Sequence, residues 1–585
     1  MAQLLTGGQV IAKSLKQAGV EVVFGIGGHG NQGLLDAFID EGIRHITVHH
    51  EMVAGAAASG YFKATHRPGV ASLTCGPGMA TAIPTLVHAA IDCSAVVAVS
   101  GDAPMMLWER GASEELDIKA AGDQSMLYRP FAKRVYEVTA AERAGHMIAN
   151  AFNCATTGRP GVVLVSVPFD LQSELVMTEV PDMARSRPTA KPTAPAEDIL
   201  RVVEMLLAAK NPVIVAGGGA AISGAWDEVT ELAERLDAAV VTSSAGKSAM
   251  SCAHPLYAAQ CGRDGPPFSS GITREADVVL SVGMRFEEYE TSVWKPGVTF
   301  SIPPTKLIQV DIDAREIGKN YPVELGLVGD VRTVLKDVLK AMEGRGRTAG
   351  SRGTAKRIAQ LKQDWLSKIE PQANSDDVPI NPHRLMKELK AVFPKNACLV
   401  VEANTARPLS LQHYIPVDKG NFFCGQGFQL IGNSPAQALG VKVGRPKQPV
   451  IALVGDGSLL LTNQVIPTAV EYEIPIIWIV MNNFGYRAVW AVQQKWFKRS
   501  MGAEFAMERT GELYSPDYAM MAEAFGARGE KVERPEKIRP ALEKALASGK
   551  PYVIDIRVTT KVDFAQLVST ESYWDFVWPT WKRGK

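Results

Sequence analysis

The sequence predicts an α/β protein built from three consecutive doubly wound parallel-sheet domains, and three observations carry that expectation. The chain has 585 residues, room for roughly three or four domains at the usual ~150 residues each. Short continuous runs of β-branched and apolar residues alternate with stretches of helical period, the pattern of parallel strands covered on both faces. Two segments without apolar periodicity, 184–198 (rich in Pro, Ala and Thr) and 343–356 (rich in Gly and Arg), interrupt the alternation. They set expected domains at 1–183, 198–342 and 357–585.

In the first block the strand candidates are "EVVFGI", "HITV", "VASLT", "AVVAVS" and "VVLVSV". In the second they are "PVIVAGGG", "AVVTSS", "DVVLSVG" and "LIQVDID". In the third they are "CLVVEAN", "VIALVGDG", "IPIIWIVMNN" and "YVIDIRV". Open parallel sheets bind ligands beyond the carboxyl ends of their strands, so the residues that end these runs are where function is expected.

Composition narrows the classes. Hydrophobic residues make up 46% and charged residues 21%, as in an ordinary globular protein. Lys+Arg and Asp+Glu balance at 62 each, against the basic excess of a nucleic-acid binder. The 7 cysteines are scattered with no CxxC pair, which reads as reduced thiols rather than a disulfide framework or zinc site. The first twenty residues lack the apolar core of a signal peptide. The run "IPIIWIVM" is far short of the ~20 residues that span a bilayer. A cytoplasmic protein with small-molecule substrates or further subunits as partners is expected, with no membrane and no nucleic acid.

Two strand ends stand out. "VIALVG" stops at Asp456, flanked by Gly455 and Gly457, and "SLLLTNQVIPTAVEY" reads as a helix opening at Ser458. The free N–H groups of such a helix start suit a phosphate. Asn483 ends the next strand, 27 residues after Asp456. One strand–helix–strand unit brings the two ends together, and their carboxylate and amide oxygens are hard ligands of the kind Mg²⁺ or Ca²⁺ accepts beside phosphate oxygens. Taken singly, Gly-Asp-Gly reads as a turn and Asn-Asn as a polar strand end; the pairing at this spacing is what is specific.

"GDGSLLLTNQVIPTAVEYEIPIIWIVMNN" resembles the fingerprint of the thiamine-diphosphate (ThDP) enzymes. The resemblance extends over nearly the whole chain, through "VHHEMVAGAAASGYFK", "TCGPGMATAIPTLVHAAIDC", "GRPGVVLVSVPFDLQ", "GMRFEEY" and "VDIDAREIGKNYPVELGLVGD". The acetolactate (acetohydroxyacid) synthase-like branch fits best. The resemblance implies a pyrimidine-binding, a middle and a diphosphate-binding domain in that order. It implies Mg²⁺ on Asp456, Asn483 and the carbonyl of Gly485, with Gly455, Gly457 and Ser458 around the diphosphate. Glu51 becomes the acid that exchanges a proton with N1′ of the aminopyrimidine, so that the cofactor can lose the proton at thiazolium C2. For that role a largely desolvated carboxyl is expected. Read by itself, Glu51 is a first-turn carboxylate favouring a helix dipole.

Further residues follow from aligned positions. Ile431 falls where the family places an apolar residue under the bent cofactor, although "QLIGNSPAQALG" departs from the usual run; Ile431 also reads as core. Asn404 and Thr405, in "VEANTAR", are expected at the diphosphate. His29 in "FGIGGHGN" and Gln124 in "AGDQSMLYRP" are expected near the substrate. His50 reads as support for Glu51, Cys75 as a small packed side chain, and Arg487 and Trp490 as entrance lining or a packed helix face. "VAGGG" (215–219) and "GMRFEE" (283–288) resemble a middle-domain flavin site, but "QCGRDGPPFSSG" departs from its flavin-contacting segment, and the balance is against FAD. In the family Glu51 and the metal site come from different subunits, so a homodimer or homotetramer is implied. The expected reaction is C–C bond cleavage and formation on a 2-oxo acid, as a decarboxylating carboligase. A non-decarboxylating acyloin or aldehyde lyase and a 2-hydroxyacyl-CoA lyase or decarboxylase are the alternatives, and a non-catalytic relative is the remote one.

Overall fold

The computed structural model describes residues 2–116, 124–345, 352–403 and 405–560. Each of the three predicted blocks builds a six-stranded sheet, and every pair of neighbouring strands in these sheets runs parallel. Numbered by chain order within each sheet, the first and third sheets share the order 2-1-3-4-6-5, whereas the middle sheet runs 3-2-1-4-5-6. Each order reverses direction beside its first strand, and that reversal opens a crevice at the strands' carboxyl ends. The crevices lie between Val22–Gly25 and Gly69–Leu73, between Pro212–Ala216 and Val278–Val282, and between Cys398–Val401 and Val450–Gly455. A short antiparallel pair, Gln3–Thr6 with Leu175–Thr178, fastens the chain's start to the end of the first block.

The interior strands form where continuous apolar runs predict them: Val162–Pro168, Val278–Val282 and Ile477–Asn482 are buried along their whole length. Within the three large sheets, five strands do not stand out in the sequence: Arg134–Glu137, Tyr257–Gln260, Leu325–Val328, Phe422–Cys424 and Arg528–Val532. All five lie at sheet edges, where one neighbouring strand instead of two lets a short or half-polar segment pair. The helix expected to open at Ser458 opens two residues earlier, at Asp456 with Gly455 as its cap, because the chain turns directly off the strand end. It breaks after Thr462 and resumes as Val465–Glu471.

The first and third sheets share one apolar core. The helices Glu51–Thr65 and Asn433–Gly444 join them, and both are rich in Ala and Gly. Close approach requires those small residues: a Cβ on Gly60 would strike the backbone carbonyl of Gln437, and one on Gly440 that of Ala57. The middle sheet has cores of its own.

Candidate active site

The third sheet aligns Gly455 with Met481 in register, so Asp456 and Asn483 leave neighbouring strands side by side. Asp456 is 2% exposed. Its Oδ1 accepts from the Gly457 N–H at 2.8 Å and its Oδ2 from the Gly485 N–H at 2.9 Å. Burial pushes its carboxyl up to about 6, against the opposing pull of these N–H groups. Among the described residues no lysine or arginine pairs with it. A buried carboxylate without a cationic partner is costly, and it marks a place where a cation fits. Asn483 is buried beside it. Gly485 takes a φ of +140°, conformational space reserved almost wholly for glycine. The residues gathered here carry a carboxylate, a side-chain amide and backbone carbonyls, the donor types of a hard divalent ion rather than zinc. The residues therefore fit Mg²⁺, and the start of the Asp456–Thr462 helix, with Ser458 buried in its first turn, faces the same strand ends.

A neighbouring lock was not seen in the sequence. Glu402, 1% exposed, accepts from the N–H groups of Ala403 (3.0 Å), Gly432 (3.2 Å) and Ser434 (3.4 Å). Burial raises its carboxyl above the usual range. It ties the loop carrying Ile431, which is half-buried, to the end of the strand Cys398–Val401. The signal lay inside "VEANTAR", but nothing local shows that Glu402 reaches residues thirty positions on. Thr405 is buried at the cap of Ala406–Gln412; Asn404 lies outside the described residues.

At the first sheet's crevice, Glu51 opens the helix Glu51–Thr65, and its cap residue His50 accepts the Met52 N–H on Nδ1 at 3.1 Å. His50 thus caps the helix start. Thr81 Oγ1 donates to Glu51 Oε2 at 2.7 Å, and Oε1 faces Gly78, which carries no side chain to crowd it. Glu51 is half-buried among the described residues, not largely desolvated as expected. Thr47 N–H donates to Tyr472 Oη at 2.8 Å, and His49 Nε2 lies 3.0 Å from Glu471 Oε1. The chain just before Glu51 is therefore tied to the far end of the segment that Asp456 begins.

Near Glu51, His29 is exposed, with Nδ1 3.0 Å from Glu114 Oε1. The Cys75 thiol donates to the other oxygen of Glu114 at 3.6 Å, and burial pushes that thiol up to about 11, which disfavours the thiolate. Gln124 is 2% exposed and fully engaged. It accepts from the Gly76 N–H at 2.9 Å and donates to the Gly101 carbonyl at 2.9 Å and Ser166 Oγ at 3.3 Å. Its amide holds the turn before the helix Pro77–Ile91, which limits what it can offer a substrate.

In the middle sheet, "VAGGG" and "GMRFEE" meet at the reversal point, where the Gly219 N–H donates to the Gly283 carbonyl at 2.9 Å. A cavity of about 380 Å³ opens there, lined by Gly218, Arg285, Glu287 and Asp311 and closed by Lys63 and Phe422 from the other two blocks. The segment 260–271 is occupied with its own bonds: Asp264 pairs with Arg407 at 2.6 Å and Arg263 at 3.1 Å, and Ser270 Oγ accepts the Gly262 N–H at 3.0 Å.

Comparison with known proteins follows the same three blocks. Residues 5–121 match the family described as thiamine pyrophosphate enzyme, N-terminal TPP binding domain. Residues 199–338 match the thiamine pyrophosphate enzyme central domain, and 407–556 the C-terminal TPP binding domain. The chain is 31% identical over 569 residues to a probable acetolactate synthase large subunit of Methanocaldococcus jannaschii, covering 94% of this chain and 92% of that one. It is 29% identical to the acetolactate synthase large subunit of Corynebacterium glutamicum, covering 97% and 89%. It is 28% identical to acetolactate synthase isozyme 3 large subunit of Escherichia coli, covering 93% and 92%.

Proposed function

This chain belongs to the thiamine pyrophosphate enzyme family, on its acetolactate synthase-like branch, and on that premise we propose that it is a ThDP- and Mg²⁺-dependent decarboxylating carboligase acting on 2-oxo acids. The observation that carries the proposal is the buried Asp456 carboxylate, without a cationic partner among the described residues, set beside Asn483 and Gly485 at the crevice of the third sheet. Bound ThDP supplies the nucleophilic carbon and the electron sink. Asp456, Asn483 and the Gly485 carbonyl hold the metal; Gly455, Gly457, Ser458 and Thr405, with Asn404, surround the diphosphate; Ile431 supports the rings. Glu51 exchanges a proton at N1′ of the aminopyrimidine, its carboxylate fixed by Thr81.

The separation of Glu51 from Asp456 within one chain supports a homo-oligomer whose site combines Glu51 of one subunit with the metal site of its partner. Docking would also give Glu51 the dry surroundings that it lacks in the single chain. All seven cysteines are free thiols, and no helix among the described residues is long and apolar enough to cross a membrane; both agree with a cytoplasmic enzyme. For the middle-domain cavity we propose that turnover needs no flavin. The bonds that occupy segment 260–271 support this, and an activity that needs added FAD would overturn it.

A second reading, an acyloin or aldehyde lyase, is favoured by one contact. Glu114 fixes Nδ1 of His29 and leaves Nε2 free to take a proton from a substrate hydroxyl. A product screen by mass spectrometry decides between them, with ThDP, Mg²⁺ and a panel of 2-oxo acids, acyloins and 2-hydroxyacyl-CoA esters. Carbon dioxide with a joined product supports the first reading, and aldehyde release from an acyloin supports the second. The absence of any ThDP-dependent product would remove both.

A further inference from the structure

Arg487 sits four residues beyond Asn483, at the start of the helix Arg487–Phe497, and is 7% exposed. A buried guanidinium needs partners for its whole fork of donors. Nε donates to the Asn483 carbonyl at 2.7 Å, and Nη1 pairs with Glu504 Oε1 at 2.8 Å. The flat face lies over the Trp490 ring, 5.3 Å from its centroid. Nη2 is buried and has no hydrogen-bond partner among the described residues. Two of the three nitrogens are thus anchored, one of them to the backbone of the proposed metal ligand. The third is a desolvated, positively charged donor held at the mouth of the same site. Leaving such a group unmatched is costly, and planar guanidinium is the side chain best suited to an oxyanion.

We propose that Arg487 is a specificity-determining residue that braces Asn483 through Nε and binds an oxyanion of the bound reactants through Nη2. The inference rests on the ThDP reading of the site. The oxyanion has two possible sources with one chemistry, the cofactor's diphosphate and the carboxylate of a 2-oxo acid. Glu504, 36% exposed on its side chain, holds the guanidinium from the solvent side and keeps it from turning away.

The test is calorimetric and independent of turnover. ThDP binding in the presence of Mg²⁺ is measured for wild type, Arg487→Met and Arg487→Lys. Pyruvate binding is measured for the same three forms, loaded with cofactor in a Glu51→Gln background that stops the reaction. Losing a charged hydrogen bond weakens binding roughly tenfold to a hundredfold. A loss of that size for ThDP in Arg487→Met assigns the oxyanion to the diphosphate. The same loss for pyruvate, with ThDP affinity kept, assigns it to the substrate carboxylate. Arg487→Lys keeps the charge but not the fork, and should fall between wild type and Arg487→Met; should Arg487→Met fail to fold, a several-fold loss in Arg487→Lys carries the same assignment. If wild type binds ThDP and no folded variant changes either affinity, the role of Arg487 is overturned while the metal site stands. If wild type itself does not bind ThDP, the reading of the site fails first.

Discussion

Gly485→Ala isolates the proposed metal site from the rest of the fold. The residue's φ is +140°, and a Cβ there would run into the carbonyl oxygen of Ala503. Backbone strain in this region costs about 1–3 kcal/mol. Relief requires the Phe484–Gly485 segment to move, and that segment carries both the N–H that donates to Asp456 Oδ2 at 2.9 Å and the carbonyl assigned to the metal. A weakened hydrogen bond to a charged group costs about a further 1.5–3 kcal/mol. Since each 1.4 kcal/mol is about tenfold in affinity, ThDP binding in the presence of Mg²⁺ should weaken by about 10²-fold to 10⁴-fold. The sheets should persist, because Gly485 lies beyond the strand Ile477–Asn482. Gly549→Ala is the control: its φ is +60° with open space around the position, so it should lose some stability and leave cofactor affinity unchanged. Calorimetric titration with matched circular dichroism reads both quantities. A Gly485→Ala protein that binds ThDP within threefold (about 0.7 kcal/mol) of wild type would show that this loop does not shape the metal site.

The other expectations are shorter. Glu51→Gln keeps shape and should still bind ThDP, but exchange of the cofactor's C2 proton for deuterium, followed by NMR, should slow by about 10²–10⁴-fold; unchanged exchange would remove Glu51 from the proton path. Glu51→Gln and Asp456→Ala subunits, each inactive alone, should regain activity when co-assembled, since some mixed dimers pair an intact Glu51 with an intact metal site; verified mixed dimers without activity would argue for a site within one chain. His383, whose Nδ1 lies 2.8 Å from Nε2 of His413, is lowered by burial from 6.5 to about 4. The unfolded chain therefore binds that proton more readily than the folded one. The stability that neutral His383 contributes is complete above pH 6.5 and is lost as pH falls toward 4, by up to about 3 kcal/mol. The stability gap between wild type and His383→Gln should shift toward the variant over that range, and a gap independent of pH would refute the reasoning.

Much of this protein is written in local pattern. Interior strands such as Val162–Pro168 and Ile477–Asn482 are buried on both faces, so nearly every residue must be apolar and the run declares itself. Asp456 and Asn483 belong to a single strand–helix–strand unit, and the geometry of that unit places them together whatever the rest of the chain does. The small residues of Glu51–Thr65 likewise announce a helix packed closely on all sides. The tertiary structure decided what local pattern cannot hold. Edge strands such as Arg134–Glu137 pair because a neighbour offers a free ladder, not because their own residues demand it. Glu402 gains its role from backbone N–H groups at 432 and 434, His29 from Glu114, and Gln124 from the Gly76 turn and the Gly101 carbonyl. The ties of Thr47 to Tyr472 and of His49 to Glu471, just before Glu51, follow from how the first and third sheets share a core. Periodicity and spacing fix which residues are near in one structural unit; register and close packing between units fix which distant residues meet.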